Sequence, residues 1–465
     1  MAKYFGTNGV RGKFNELTPE LTLKLAQAIG TYLKKEARDR KHETGNCKIV
    51  VARDCRITGE LLKSCVMSGL SSAGCEVIDI DVASSPTAEF VVKKLKADGC
   101  IIVSASHNPP EWNALKVVDG KGVAISKERG EEIEKLMAKK LEVEWKNVGK
   151  ITRYDNAIGD HIKAILEIVG PRKTKKSIVI DCGNGTATTI APKLLREMDI
   201  EFLSLNSHMD GYFPGRPSEP TEANVKELIS LVKSSKADGG IAWDGDGDRV
   251  IFVDEKGNYV IGDKVYALSI IWKMTRQQKG DVVTTVATSK VVEDIAKKYG
   301  NKVRYTAIGA PYLCEEMVKV KPPEDGKGPA RPNAIIGGEE VGGVIWPELC
   351  LAKDGFLTAA MMASAIGEKP LSVWLQEIPE YSNVKIKIDA EGDEKKNTIV
   401  ERVRKYAKNN KLEFIDIDGV RINFKDSWVI VRASGTENYI RVFAEAKTRE
   451  EAQRLVLEYE KIAKG

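Results

Sequence analysis

The stretch SASHNPPEWNALK, residues 104–116, places two serines, a histidine, two asparagines and a lysine directly after the apolar run GCIIV. Pro109 and Pro110 forbid continuation as strand or helix, so the stretch reads as a loop at a strand end. Open α/β sheets bind ligands at such ends, and a hydroxyl there is a candidate nucleophile. DGDGDR, residues 244–249, follows a second apolar run, GGIAW. Its carboxylates Asp244, Asp246 and Asp248 repel one another unless they share a cation. The intervening glycines let the oxygens converge, and an all-oxygen donor set selects a hard divalent ion, Mg²⁺ before Mn²⁺ or Ca²⁺. An EF-hand is excluded even though Glu255 stands at its twelfth position. The sixth position, which needs glycine, is Arg249, and the flanks read as strands.

Two further glycine-rich stretches carry binding groups. In GGEEVGG, 337–343, the glycines permit close backbone approach to a ligand while Glu339 and Glu340 supply acceptors. In RASGTEN, 432–438, small residues can form a nest of backbone N–H groups, to which Arg432, Ser434 and Thr436 add donors suited to a phosphate dianion. GTNGVRG (6–12) ends in the guanidinium of Arg11, and ARDCR (52–56) places Arg53 and Arg56 after a strand. Any one of these reads equally well as an ordinary turn. A serine nucleophile, a Mg²⁺ site and a phosphate nest recurring at strand ends along one chain form an inventory for phosphoryl transfer, which is catalysed mainly by positioning and charge neutralisation.

The elements that must position these loops alternate strand and helix. Strands are expected at 48–52, 76–82 and 99–103, with helices over 59–74 and 126–139; the pattern relaxes at 151–160. It restarts with strands at 177–182, 200–205, 239–243 and 249–257 and helices at 187–198 and 222–235. A third unit has helices at 262–275, 289–299 and 355–367 and strands at 281–286 and 334–338, with a surface loop at 321–332. The last unit is more antiparallel: strands at 383–388, 414–424, 427–433 and 438–446 between helices at 394–409 and 449–463. Its 465 residues exceed what one core supports. The expected architecture is α/β: three similar mixed α/β domains (1–152, 153–257, 258–369) and a smaller α+β C-terminal domain (370–465) around a central cleft.

A net charge of +5, with lysines interleaved among glutamates, argues against a nucleic-acid partner. No apolar run approaches the roughly 20 residues of a membrane span, and the N-terminus lacks a signal-peptide core. Eight scattered cysteines without a CxxC pair suggest reduced thiols and a cytoplasmic location.

On these four loops, in this order and over the whole chain, the sequence resembles the α-D-phosphohexomutase family (phosphoglucomutase, phosphomannomutase, phosphoglucosamine mutase). The resemblance implies that Ser106 is the serine phosphorylated in the active enzyme and that Asp244, Asp246 and Asp248, with the phosphate on Ser106, hold Mg²⁺. It implies sugar recognition by the loop of Glu339, Glu340 and Gly342, and a hold on the non-reacting phosphate by Arg432, Ser434, Gly435 and Thr436, with Arg441 close by. His107 and Asn108 would position the phosphate, and Lys116 is the candidate proton carrier with Arg11 and Arg249 as electrostatic partners. GTNGVRG and FPGRPSEP (213–220) look like further family loops. Mg²⁺, phosphorylated Ser106 and a hexose 1,6-bisphosphate activator are the expected cofactors; sugar phosphates are the expected partners, a homo-oligomer being left open. The implied reaction interconverts hexose 1- and 6-phosphates of glucose or mannose, with glucosamine phosphate as the alternative.

Three positions depart from the family pattern. Val341 stands where Ser or Asn is usual, Gly343 where many relatives have His, and Ala114 where Gly is usual. Other reaction classes fit less well. A serine hydrolase needs a base that His107, adjacent in sequence, does not readily provide, and no GxSxG elbow exists. A Mg²⁺-dependent sugar phosphatase would use an aspartate nucleophile, and a non-catalytic sugar-phosphate binder would need neither Ser106 nor the metal loop.

Overall fold

The computed structural model describes residues 3–6, 9–41, 47–170, 176–276, 278–321, 331–434 and 438–465. The first sheet has seven strands in the order Phe5–Gly6, Gly9–Lys13, Trp112–Asp119, Gly99–Val103, Lys48–Arg53, Glu76–Val82, Ile151–Arg153. Its centre is parallel and apolar, as strands covered on both faces must be. The second sheet runs Tyr259–Val260, Val250–Asp254, Gly239–Trp243, Ser177–Asp181, Glu201–Leu205. The third runs Val303–Thr306, Asp281–Thr285, Ala334–Gly338, Val344–Ile345. The C-terminal sheet is antiparallel throughout: Ser382–Asp389, Tyr439–Ala446, Trp428–Ala433, Val420–Asn423, Phe414–Ile415, backed by helices Asp393–Asn409 and Arg449–Lys464. Four α/β domains with mixed or antiparallel sheets result.

The first and second units have clusters of their own, and a larger one is shared by the first three. One continuous cluster joins Val50 and Ile102 of the first sheet to Ile180 and Ile241 of the second and Val282 and Ile336 of the third. Helix Gly355–Glu368, apolar nearly all round, lies buried in its middle. Asp354 caps that helix, accepting from the N–H groups of Phe356 and Leu357 at 2.8 Å. Its other carboxylate oxygen meets His161 Nε2 at 2.8 Å, and His161 Nδ1 meets Thr87 Oγ1 at 2.9 Å. This buried chain ties the first unit to the third. The C-terminal domain has its own core and docks through a small apolar cluster of Val286, Trp428, Ile430 and Phe443. Arg421, sandwiched between Tyr305 and Trp428, pins the docking by donating to the carbonyls of Val286 and Thr288 at 2.8 and 3.1 Å.

Several expectations need correction. Residues 104–116 are not all loop: a strand begins at Trp112, antiparallel to Gly99–Val103 with Lys116 opposite Ile102. The prolines stay in the turn, and the strand after them is buried nearly throughout and paired on both edges. The relaxed stretch 151–160 holds an edge strand of the first sheet and the start of helix Ala157–Val169. The strand expected at 249–257 ends at Asp254, where a turn leads to Tyr259–Val260. Helices Pro19–Lys41 and Ser85–Leu95 and strand Gly9–Lys13 add to the elements expected from the sequence. Of the 321–332 loop, 322–330 lie outside the described residues. Among the described residues no helix is long and apolar enough to cross a membrane.

Candidate active site

Ser106 sits in the tight connection between Val103 and Trp112, its backbone in the left-handed region at φ 51°. That conformation is costly for a side-chain-bearing residue and persists only where its surroundings impose it. Arg56 imposes it. Fully buried, this guanidinium uses all its donors: Nε on Asp54 (3.0 Å), Nη1 on the carbonyls of Pro109 (2.5 Å) and Trp112 (3.0 Å), Nη2 on those of Ser106 (2.8 Å) and Asn108 (2.7 Å). Phe213 of the second unit covers its face at 5.1 Å, and Ser218 Oγ donates to the Ser106 carbonyl at 3.0 Å. Arg216 fixes this second-unit loop through Asp181 at 2.7 Å and the Trp243 carbonyl at 2.7 Å. Arg53, Arg56's neighbour in the ARDCR stretch, instead pairs with Glu60 and Asp81 away from the loop. Arg56→Met leaves Asp54 and the carbonyls of Ser106, Asn108, Pro109 and Trp112 without their donor. It should destabilise the protein by roughly 3–5 kcal/mol, the usual cost of breaking a buried pair. Denaturant unfolding measures this, and an unshifted transition would contradict the scaffold role.

The metal loop joins the antiparallel strands Gly239–Trp243 and Val250–Asp254, the strand flanks that rule out an EF-hand. Asp244 Oδ1 accepts from the N–H groups of Gly247 (3.1 Å) and Arg249 (3.2 Å), closing the loop. Gly247 has φ +76° and a Cβ there would lie 2.5 Å from the Phe356 ring, so only glycine fits. Ser106 Oγ donates to Asp244 Oδ2 at 2.7 Å. Asp244, Asp246 and Asp248 are buried and each offers a ligand atom within 4.8 Å of the others. Asp246 Oδ1 and Asp248 Oδ1 are buried with no hydrogen-bond partner. Orphaned carboxylate oxygens in an all-oxygen cluster fit a hard divalent cation, and Mg²⁺ is the one this donor set favours.

Two lysines balance the cluster. Lys116 contacts Asp246 directly and lies 3.5 Å from Asp248; Lys353 lies 3.3 Å from Asp248 and 2.7 Å from Glu339. Burial opposes the charge on both amines, but the neighbouring carboxylates win and hold both above the ordinary lysine range. Burial drives Asp244 well above the ordinary carboxylate range, with Asp248 and Asp246 adding repulsion. Burial also pushes Asp248 up, but Lys353, Lys116 and Arg249 pull it below that range. Arg249 pairs with Glu219 at 2.9 Å, and its Nε lies 3.9 Å from Asp248. Arg11, on strand Gly9–Lys13, hydrogen-bonds Asn108 of the serine loop. Burial, with Arg249 and Arg11 nearby, lowers His107 to about 3, so its ring is neutral at neutral pH.

Glu339 and Glu340 face different groups. Glu339 belongs with Lys353 beside the metal loop. Glu340 accepts from Thr285 Oγ1 at 3.4 Å and lines a cavity of about 280 Å³ between the third and C-terminal domains. Burial raises its carboxyl, with Glu339 adding repulsion. The Gly342 carbonyl accepts from the Val250 N–H at 3.3 Å, tying this loop to the metal hairpin. Gly342 has φ +84°, and a Cβ on it would lie 2.4 Å from the Val250 carbonyl oxygen. A Cβ on Gly343 would lie 2.4 Å from Lys353 Cδ, so the lysine stem runs through space that a histidine there would claim.

Arg432 and Arg441 stand opposite each other on adjacent strands and line the same cavity. Arg432 is paired with Asp418 at 3.0 Å; Arg441 donates to the Tyr439 hydroxyl at 3.1 Å. Ser434 is buried, its N–H on the Tyr439 carbonyl and its carbonyl accepting from Lys396 at 3.2 Å. Gly435 and Thr436 lie outside the described residues. Ser106, Asp244, Asp246, Asp248, Lys116 and Glu339 thus converge, with Arg11, His107 and Arg249 around them, while Glu340, Arg432 and Arg441 surround the adjoining cavity. Sequence reading missed Lys353 and Ser85, which hydrogen-bonds Asp246, and gave no role to Ser218 within the FPGRPSEP loop that the resemblance pointed to. No chemical pattern marks them in the sequence; the packing of helix Ser85–Leu95, the second-unit loop and the turn before Gly355 brings them in.

Comparison with known proteins gives the family. The chain matches the phosphoglucomutase/phosphomannomutase alpha/beta/alpha domains I, II and III over residues 2–144, 159–257 and 261–381, and the C-terminal domain of that family over 385–462. It is 39% identical to the phosphoglucomutase/phosphomannomutase of Thermococcus kodakarensis over 97% of this chain and 96% of the relative. It is 36% identical to the phosphoglucosamine/phosphogalactosamine mutase of Sulfurisphaera tokodaii over the whole of both chains. Its fold matches a phosphoglucomutase/phosphomannomutase family protein from Burkholderia thailandensis (TM-score 0.84, 22% identity, 98% of this chain and 96% of that one). It also matches an Aspergillus fumigatus N-acetylphosphoglucosamine mutase solved with GlcNAc-6P and magnesium (TM-score 0.59, 15% identity, 99% and 95%). With all four parts of the family in order along one chain and relatives aligned end to end, the chain belongs to the phosphoglucomutase/phosphomannomutase family and is a phosphohexomutase, an isomerase.

Proposed function

We propose that this phosphohexomutase interconverts the 1- and 6-phosphates of glucose and mannose through a phosphoserine at Ser106 and a hexose 1,6-bisphosphate. The observation that carries this reading is Ser106 Oγ, held on a strained loop by Arg56 and aimed at Asp244 on the rim of the three-carboxylate cluster. A phosphoryl group on that oxygen passes to one hydroxyl of a bound hexose monophosphate. The Ser106–phosphorus bond breaks as the sugar oxygen–phosphorus bond forms, and the bisphosphate turns over and returns its other phosphate to Ser106. Mg²⁺ held by Asp244, Asp246 and Asp248, and by the phosphate on Ser106, supplies charge neutralisation at the moving phosphoryl. Lys116, kept protonated inside the cluster, gives a proton to Ser106 Oγ as the Ser106–phosphorus bond breaks and recovers one from the attacking sugar hydroxyl, and Arg11 and Arg249 stabilise the negative charge. Neutral His107 and Asn108 orient the phosphate by hydrogen bonds. Glu339 takes sugar hydroxyls, and Arg432, Ser434, Gly435, Thr436 and Arg441 hold the phosphate that is not reacting.

Assay of glucose, mannose and glucosamine 1-phosphates side by side, with a trace of bisphosphate, tests the reading: isomer supports it, free phosphate points to a phosphatase. Val341 offers neither donor nor acceptor to the sugar, and selectivity between epimers rests on polar groups that the wrong sugar leaves unpaired. Glucose and mannose 1-phosphates should therefore differ by roughly tenfold or less in kcat/KM, about 1.4 kcal/mol. Val341→Ser should widen that gap. A thousandfold preference in the parent protein would contradict this reading of the loop. A second reading, amino-sugar phosphate, is favoured by Glu340, whose carboxylate on the cavity wall suits an ammonium at C2; selective loss of glucosamine 1-phosphate turnover in Glu340→Gln would support it.

A further inference from the structure

The outer face of the C-terminal sheet is divided in two. Side chains alternate across a strand, so Lys385 and Lys387 of Ser382–Asp389, which pair with Phe443 and Arg441 of the neighbouring strand, share one face with them. Trp428, Ile430 and Phe443 on that face dock against the third domain. Lys385, Lys387, Arg432 and Arg441 line the cavity of about 280 Å³, against the carboxylate of Glu340. The two arginines are engaged, with Asp418 and with the Tyr439 hydroxyl. The lysines are different. Lys385 Nζ stands 4.3 Å over the Phe443 ring and Lys387 Nζ 4.3 Å over the Tyr439 ring, and among the described residues no carboxylate forms an ion pair with either. Two like charges two residues apart on one strand face repel, and their rings only steady them. The cavity thus has more positive charge than one phosphate dianion needs beside the two arginines.

We infer that Lys385 and Lys387 are positioning residues that retain the hexose bisphosphate in the cleft while it turns between its two phosphoryl transfers. The inference rests on the mutase reading above. Turning requires the non-reacting phosphate to leave the directional grip of the guanidinium groups of Arg432 and Arg441. During that interval only non-directional attraction can hold the intermediate. Lysine provides such attraction, being a point charge on a flexible stem with rotatable donors, where arginine is a rigid fork. A pair of them lining the cavity creates a local positive potential that keeps a polyanion from escaping.

The test compares the parent with the Lys385→Ala/Lys387→Ala double variant, with Lys405→Ala on the opposite, helical side of the domain as control. The concentration of added glucose 1,6-bisphosphate that half-activates turnover should rise at least tenfold in the double variant, because escaped intermediate must be replaced. The effect on kcat at saturating activator should be much smaller. Lys385→Arg/Lys387→Arg keeps the charge but replaces the flexible stem with a rigid fork, so it should recover only part of the loss, and Lys405→Ala should match the parent. Added salt should raise the parent's requirement steeply and the double variant's weakly. An unchanged activator requirement in a double variant that melts at the parent's temperature overturns the inference while leaving the mutase reading intact. Should the parent isomerise no hexose 1-phosphate, the mutase reading falls. Calorimetric binding of glucose 1,6-bisphosphate then decides the lysines' role: a tenfold weaker complex in the double variant supports it, and equal affinity overturns it.

Discussion

Ser106→Ala should abolish phosphorylation of the protein and lower hexose phosphate isomerisation by roughly 10⁴-fold or more, the scale on which enzymes lose a covalent nucleophile. The variant keeps its fold, because Arg56 and Ser218 grip the carbonyl of residue 106 and not its side chain. Among the described residues the nearby hydroxyls are committed elsewhere, that of Ser85 to Asp246 and Lys116. Ser104 is buried with its hydroxyl accepting from the Ser106 N–H at 3.0 Å, and Ser218 Oγ donates to the Ser106 carbonyl. Isomerase assays together with intact-protein mass measurement check the result. An active Ser106→Ala enzyme carrying stoichiometric phosphate elsewhere would refute the assignment.

Chelation produces the second large effect. EDTA should reduce turnover at least roughly 100-fold and Mg²⁺ restore it, since charge neutralisation at the moving phosphoryl is worth several kcal/mol. The chelated protein should stay folded, because Lys116 and Lys353 lie among the carboxylates as counter-charges. Asp246→Asn should act chiefly on kcat, as loss of an interaction realised in the transition state does. It should also abolish the upward shift in melting temperature that Mg²⁺ gives the parent by binding only the folded state. Full activity in the presence of chelator would contradict the metal assignment.

The loops were legible in the sequence because their chemistry is local. DGDGDR announces converging oxygens wherever it falls, and the prolines after SASH mark a strand end whatever lies around them. The alternation of strands and helices in the second and third units was legible for the same reason. What the sequence hid depends on distant partners. Lys116 reads as part of a loop until Trp112–Asp119 pairs with Gly99–Val103 on one edge and Gly9–Lys13 on the other. Arg56 and Arg53 look alike in ARDCR, yet one is the buried scaffold of the serine loop and the other pairs with Glu60 and Asp81. Lys353 lies in an unremarkable stretch; it reaches the metal loop because Gly343 leaves room for its stem. The shared core was equally hidden. Helix Gly355–Glu368 is apolar nearly all round, which signals burial but does not say that it packs between the helices of the second and third units inside the shared core.

The central claim is that Ser106 carries the phosphoryl group between sugar oxygens. Its most direct test is to load the protein with glucose 1,6-bisphosphate labelled in its phosphates, locate the label by peptide mapping, and chase with unlabelled glucose 1-phosphate in a rapid-quench instrument. The account predicts label on the peptide containing Ser106, leaving for hexose phosphate at a rate no slower than kcat. Label on any other residue, or a Ser106 phosphate that survives many turnovers, would contradict it.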